Sequence, residues 1–150
     1  MKKSVLLLSL LVLTFVSCEG PAGRDGFDGL DGAETYWFVR NYPITRWELI
    51  NGEDQLNSYF RSTINIPELD RDIFENGHVL CYMYLDANHQ TLLPYTLHKG
   101  KNDGNTELLW TETYSYEFSL RTITFYLEYS DFYTSNPPPS SITFRVVLNY

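Results

Sequence analysis

From residue 142 the sequence reads Ile142-Thr143-Phe144-Arg145-Val146-Val147-Leu148-Asn149, in which the even-numbered positions are all apolar. Thr143, Arg145 and Asn149 occupy odd-numbered positions between them. Successive side chains of an extended strand point to opposite faces, so this alternation is typical of a strand that buries one face. The segment therefore predicts a β-strand with Phe144 in its buried row.

Earlier segments repeat the same two-residue period. Residues 122–129 carry apolar side chains at the odd positions, and residues 110–120 carry aromatic or apolar side chains at most even positions. Residues 60–66 alternate more weakly. Residues 78–85 are apolar at both parities, which predicts a central strand covered on both faces.

Turn-forming residues separate these segments. Asn51-Gly52 predicts a turn, and residues 86–89 predict a hairpin loop between strands at 78–85 and 90–97. Residues 99–105 predict an exposed loop. The three prolines of residues 136–139 predict a stiff connection, because proline cannot donate to a strand ladder.

One short helix interrupts the predicted strands. Pro67-Glu68-Leu69-Asp70 has the proline and acidic residues of a helix start, and Asn76-Gly77 is a stop signal. About eight strands at short spacing with one small helix indicate an antiparallel sandwich. We therefore expect residues 36–150 to form an all-β domain, an antiparallel β-sandwich.

The first residues of the chain have the pattern of an export signal. Lys2 and Lys3 are followed by an apolar run from Val5 to Val16, which is too short to span a bilayer as a helix. A positive start followed by a short apolar stretch is typical of a secretory signal peptide. Residues 1–17 are accordingly predicted to be removed after export.

The end of this leader resembles a bacterial lipobox. It reads Phe15-Val16-Ser17-Cys18, which is two apolar residues, a small residue and a cysteine. In that family the cysteine receives a diacylglycerol, the leader is cut before it, and the new amine is acylated. The resemblance implies lipidation of Cys18 and durable anchoring to a membrane. The alternative is a signal peptide without lipidation.

Residues 18–35 contain a collagen-like repeat. Glycine stands at every third position from Gly20 to Gly32. In collagen only glycine fits at the crowded axis of three chains, so the repeat permits a trimer. Aspartates at positions 25, 28 and 31 would repel one another in such a trimer. We therefore expect an extended tether of roughly 40 Å and a monomer, with the trimer as the alternative.

The chain as a whole resembles the small collagen-linker lipoproteins common in Bacteroidota. The resemblance rests on the leader, the junction Cys18-Glu19-Gly20-Pro21-Ala22-Gly23 and a C-terminal β-domain. Four short segments add to it: Ile66-Pro67, Gly77-His78-Val79-Leu80, Leu93-Pro94-Tyr95 and Phe144-Arg145-Val146-Val147. It implies a location in the cell envelope, lipid-anchored in the outer membrane, and carries neither an assigned activity nor functional residues.

Composition restricts the partners. The formal net charge is −8, and loss of Lys2 and Lys3 with the leader makes it −10. Phosphate binding requires clustered lysine and arginine, so we expect no nucleic-acid partner. Cys81 lies in an apolar segment without a second cysteine in the domain, which predicts a buried, inert thiol.

Aromatic residues are the best candidates for binding, at 16% of the chain. The candidate ligand-binding residues are Trp37, Trp47 and Trp110, whose rings suit a glycan or an envelope protein. A purely structural role in the core and on the sheet faces is the competing interpretation. Catalytic motifs and metal-type histidine spacings are missing from the sequence. We therefore expect no enzymatic activity, no cofactor and no metal site.

Overall fold

The structure is a computed structural model of the chain, and it describes residues 36–102, 104 and 107–149. The described residues form nine strands and one helix. They are β1 Trp37–Ile44, β2 Glu48–Ile50, β3 Tyr59–Asn65, α1 Arg71–Asn76, β4 His78–Tyr84, β5 Gln90–Leu92, β6 Tyr95–Asn102, β7 Glu107–Ser119, β8 Thr122–Tyr129 and β9 Ile142–Asn149. The predicted all-β sandwich with one short helix is confirmed. The predicted signal peptide and tether, residues 1–35, lie outside the described residues.

The strands form two antiparallel sheets. The four-stranded sheet has the order β1-β9-β4-β5, and the five-stranded sheet has the order β2-β3-β8-β7-β6. In the first sheet, Trp37 is opposite Asn149 and Val79 is opposite Leu148. The strand formed by the quoted C-terminal segment therefore lies between β1 and β4, where it pairs on both edges.

The core fills the space between the two sheets. The alternation predicted from sequence holds, since Phe125 and Leu127 of β8 and Phe144 and Val146 of β9 are fully buried. The rings of Phe125 and Phe144 stack across the two sheets, with centroids 4.1 Å apart. Burying side chains of this size contributes roughly 1.5–3 kcal/mol each, which makes these rows the main source of stability.

The prediction that residues 78–85 are covered on both faces is wrong. Val79, Cys81 and Met83 of β4 are buried, but the alternate side chains Leu80 and Tyr82 are only half-buried. A sandwich has two layers, so each sheet has one face toward the core and one outer face. The apolar residues Leu80 and Tyr82 on the second face of β4 therefore belong to an outer surface of the domain.

The predicted strand at residues 90–97 is divided in the structure. Its first part, β5, pairs with β4 as the hairpin prediction required, whereas β6 joins the five-stranded sheet and pairs with β7. The division falls at Leu93-Pro94, because the proline has no N–H for a ladder. Leu93 itself is buried and donates its N–H to the carbonyl of Cys81 at 2.9 Å.

The predicted exposed loop at residues 99–105 is also partly strand. Lys99 to Asn102 continue β6, with Lys99 opposite Trp110 and Asn102 opposite Glu107. The side chains of these β6 residues are exposed. Polar composition indicated solvent exposure correctly, but it does not prevent two strands from pairing as an exposed ribbon.

The helix ends at its predicted stop signal but begins at Arg71, later than Pro67 indicated, because Pro67 and Glu68 form a turn before it. The Asp70 carboxylate caps α1 by accepting from the N–H of Ile73 at 3.0 Å, and Gly77 follows the last helical residue. A Cβ added at Gly77 would lie 2.7 Å from the carbonyl oxygen of Asn149, so only glycine fits there. Asn51 and Gly52 both have positive φ, as the predicted turn requires.

Candidate functional site

An open groove of about 640 Å³ lies between the β6–β7 ribbon and the segment that follows β8. We call it the Trp110 groove. It is lined by Lys101, Leu108, Trp110, Asp131, Tyr133, Ser135 and Asn136.

The ribbon supplies one wall of the groove. Leu108 and Trp110 are two residues apart on β7, so their side chains lie on the same face. Lys101 is directly opposite Leu108 on β6, which places it on that face as well. Leu108 is half-exposed, and Trp110 is half-buried. This wall is therefore an apolar surface with one ammonium group beside it.

A buried carboxylate holds the indole of Trp110. The indole Nε1 donates to Oε1 of Glu112 at 3.4 Å, and the hydroxyl of Tyr114 donates to Oε2 at 3.4 Å. Glu112 is only 7% exposed, and the ammonium of Lys99 lies 3.9 Å from its Oε2. Burial, followed by the charge of Glu112, raises the pKa of Tyr114. The tyrosine therefore stays protonated and remains a donor.

The segment after β8 supplies the opposite wall, and backbone bonds fix its start. Ser130 donates its N–H to the carbonyl of Thr111 at 3.0 Å and accepts the N–H of Thr111 on its Oγ at 2.9 Å. Thr111 is the neighbour of Trp110 on β7. The N–H of Tyr133 donates to Oδ1 of Asp131 at 3.2 Å. The two walls of the groove are thus joined to each other at its base.

Asp54 forms hydrogen bonds with Thr134 and Ser135, at the far end of this segment. Its Oδ2 accepts the hydroxyl of Ser135 at 2.6 Å, and its Oδ1 accepts the N–H of Ser135 at 2.8 Å. Its own N–H donates to Oγ1 of Thr134 at 2.8 Å. The hydroxyl of Ser135 is the largest cause that lowers the pKa of Asp54, with the backbone bonds adding to it. These contacts preorganise the wall before any ligand arrives.

The groove combines aromatic and polar groups. The ring of Tyr133 is 56% exposed and stands with Trp110 and Leu108 as the apolar part of the lining. The polar part carries an ammonium, a carboxylate, a hydroxyl and an amide. Histidine and cysteine are missing from the lining that the structure describes. Such a mixture suits binding of a ligand with apolar faces and many hydroxyl groups.

Comparison with known proteins finds no matching family model, no matching curated protein and no matching solved structure. Within residues 36–102, 104 and 107–149, no three His, Cys, Asp or Glu side chains are grouped to hold a metal ion. The helix in this part of the chain is too short and too polar to cross a membrane.

The structure separates the three predicted tryptophans. Trp37 is 61% exposed on the outer side of the four-stranded sheet, and Trp47 packs edge-to-face on Phe144 with centroids 6.5 Å apart. Trp110 alone of the three lies in the groove. Nothing in the sequence pointed to the rest of the lining, because Lys101, Leu108 and Trp110 meet residues 131–136 only through the pairing of β7 with β8 and the hydrogen bonds of Ser130 to Thr111.

The histidines and the cysteine of the described domain lie outside the groove lining. His89 lies in the β4–β5 hairpin with its Nδ1 2.8 Å from Oδ2 of Asp86, and His98 lies on β6 in the other sheet. Cys81 is fully buried, which confirms the burial predicted from sequence. Burial raises the pKa of its thiol to about 12, so it is a poor nucleophile.

Proposed function

We propose that this protein is a lipid-anchored lipoprotein of the cell envelope whose sandwich domain is a non-catalytic binding module. The Trp110 groove is its ligand site, and the ligand is a carbohydrate. The observation that carries this assignment is the joining of Trp110 and exposed Tyr133 with Lys101, Asp131 and Ser135 in one groove.

The anchoring part of the proposal rests on sequence. The lipobox-like segment ends at Cys18, and the repeat from Gly20 to Gly32 separates that cysteine from the domain. A lipid on Cys18 with a tether of this length would hold the groove within tens of ångströms of the membrane surface. Such a position suits capture of surface or periplasmic glycans.

The chemistry of the groove favours a carbohydrate over other ligands. Aromatic rings offer apolar contact to the C–H faces of a sugar ring, while carboxylate, hydroxyl and amide groups can hydrogen-bond its hydroxyls. One ammonium, Lys101, beside one carboxylate, Asp131, gives little net attraction for a polyanion. An open groove of about 640 Å³ has room for a short oligosaccharide segment.

A glycan array with the unlipidated protein tests the assignment. Wild-type protein should show saturable binding to one class of glycan. Tyr133→Ala should weaken that binding by about tenfold or more, because aromatic contacts carry much of the energy at such sites. Asp131→Asn should weaken it as well if the carboxylate accepts sugar hydroxyls.

Trp37→Ala is the matched control. Trp37 is 61% exposed, close to the 56% of Tyr133, but it lies on the other sheet and outside the groove. Its removal should leave glycan affinity unchanged. Absence of binding to any glycan, or equal binding by wild-type protein and Tyr133→Ala, would reject the carbohydrate assignment.

A further inference from the structure

The outer surface of the four-stranded sheet is unusually apolar. Its core consists of Val39, Leu80, Tyr82 and Leu92, with Trp37 at one edge, and we call this surface the apolar face. Trp37 is 61% exposed, Val39 48% and Leu92 47%. These residues are neighbours across strands rather than scattered, because pairing places Leu80 and Val39 on either side of Val147. Val147 is only 6% exposed although it points away from the core.

The outer surface of the five-stranded sheet is built differently. It carries threonine pairs, with Thr63 and Thr124 hydroxyls 2.9 Å apart and Thr96 and Thr113 hydroxyls 3.2 Å apart. We call it the threonine face. It also carries an ion pair, in which Arg61 Nε lies 2.8 Å from Glu48 Oε2. Hydroxyl and charged groups therefore make up more of the threonine face than of the apolar face.

The apolar face and the threonine face also differ in charge. None of the acidic residues lies at an outward position of β1, β9, β4 or β5, in a chain with formal net charge −8. Arg145 stands near the middle of the apolar face, opposite Tyr82 on β4. Its guanidinium donates to Oε1 of Gln90 at 3.4 Å, and no carboxylate among the described residues pairs with it.

This composition matches the centre of a protein–protein interface. Such centres are enriched in tryptophan, tyrosine and arginine and depleted in lysine, aspartate and glutamate. The residues that dominate binding energy are drawn from the same three types. Trp37, Tyr82 and Arg145 supply all three on the apolar face. A contiguous exposed apolar surface also marks an interaction site in soluble domains.

Arg145 indicates which kind of partner fits the apolar face. A second copy of this chain would present the same acid-free surface, so both arginines would be buried without a carboxylate, at a high energetic cost. A lipid surface is disfavoured because one arginine contributes only about 1 kcal/mol toward anionic lipid. A folded protein with apolar side chains around an aspartate or glutamate would bury the apolar residues and give Arg145 a carboxylate with which to pair.

We propose that the apolar face docks a second envelope protein through a surface that is apolar at its centre and carries a carboxylate opposite Arg145. This surface is separate from the Trp110 groove, whose lining comes from β6, β7 and residues 131–136. The inference goes beyond glycan binding and gives the domain a second role as a subunit of an envelope assembly. The docking itself does not depend on the proposed lipid anchoring; the placement of the partner in the cell envelope does.

Site-directed cross-linking can identify the occupant. In protein carrying Cys18→Ser, Cys81 is buried and unreactive, so Leu92→Cys creates one accessible thiol for a photoactivatable cross-linker. Thr124→Cys places the same probe on the threonine face. In envelope extract from the source bacterium, the probe at position 92 should join one protein that the probe at position 124 does not reach. Mapping should place the cross-link beside an aspartate or glutamate.

A charge exchange then tests the recognition itself with both purified proteins. Arg145→Glu should lower affinity by about tenfold or more, whereas Arg145→Lys should lower it less. Exchanging the mapped carboxylate for lysine should restore binding to Arg145→Glu. Tyr133→Ala should bind the partner normally, which separates this result from a failure of glycan binding.

Three outcomes would overturn the proposal. The first is cross-linking at position 92 only to a second copy of the chain or to lipid. The second is identical products from positions 92 and 124. The third is unchanged affinity in Arg145→Glu with circular dichroism like that of the wild type.

Discussion

Phe125 of β8 and Phe144 of β9 stack with an interplanar angle of 9° and centroids 4.1 Å apart, and both side chains are fully buried. They belong to different sheets, so this pair joins the two layers at the middle of the domain. Trp47 adds an edge-to-face contact to the same Phe144 ring. The aromatic pair is therefore the contact on which the sandwich depends most directly.

Phe125→Ala should destabilise the domain by about 3–5 kcal/mol, because it removes a buried ring and leaves a cavity against Phe144. The free energy of unfolding from urea titration, followed by circular dichroism, measures the effect. Thr124→Ala, on the neighbouring outward position, loses only an exposed hydroxyl contact with Thr63 and should cost well under 1 kcal/mol. Similar unfolding midpoints for the two variants would contradict the assignment of strand faces.

Alkaline pH should destabilise the domain in part through Cys81. Burial raises the pKa of its thiol from 9.0 to about 12 in the folded state. Above pH 9 the unfolded chain loses a proton that the folded chain keeps, so the stability from the buried neutral thiol is present below about pH 9 and is lost as pH rises toward 12. The slope from this one group is at most about 1.4 kcal/mol per pH unit.

Cys81→Ala is the test of that slope. Tyr114 and Tyr129 also have raised pKa values through burial, and they are retained in this variant. The unfolding free energy of Cys81→Ala should therefore fall less steeply than that of the wild type between about pH 9 and pH 11. In the native wild type, a maleimide should label Cys81 only after denaturant is added. Parallel pH curves would show that the thiol does not titrate in this range.

Cys18→Ser should abolish lipid attachment, because the hydroxyl cannot form the thioether. Labelled palmitate should enter the wild-type protein and not the variant, and the variant should be found as soluble protein or as an uncleaved precursor. Partition of the wild type with detergent-extracted membranes is the companion measurement. Failure of the wild type to incorporate palmitate would remove the anchoring part of the proposed function.

Gly26→Ala should leave both size and stability unchanged if the repeat is a tether. A collagen triple helix tolerates no Cβ at its axis, whereas an extended single chain has no such requirement. Sedimentation of the chain from Glu19 onward, at tens of micromolar, distinguishes the two states. We expect a monomer for wild type and variant alike. A trimer that Gly26→Ala dissociates would replace the tether with a three-stranded stalk.

Much of the fold was predictable because local signals agreed with the tertiary structure. The strands around Phe125 and Phe144 bury one face against the other sheet, so apolar residues alternate along both, with Val147 of β9 as the buried exception on the outer face. α1 starts directly after its cap Asp70 and ends before Gly77 because capping chemistry is local. β1 was not predicted from the sequence. It is an edge strand with exposed apolar residues on one face and Arg40, paired with Glu68, on the other, so it does not show a clear apolar–polar alternation.

What sequence could not provide is the choice of partner for each segment. Residues 95–102 could pair in either sheet, with β4 or with β7, and the choice depends on which sheet has a free edge. The local sequence pattern does not contain this information. The same limit applies to the candidate site. Trp110 was singled out as an aromatic residue, but its neighbourhood with Asp131 and Tyr133 exists only after β7 and β8 have paired.

The central position of β9 affects when the domain can fold during synthesis. β1 and β4 both pair with β9 and not with each other, so the four-stranded sheet lacks its middle until residues 142–149 are available. Pairing between segments so distant in sequence is slow and leaves apolar edges open meanwhile. We therefore expect a nascent chain that ends before Ile142 to stay protease-sensitive. If the chain is exported as we propose, this delay would be useful, since a chain must stay unfolded to be translocated.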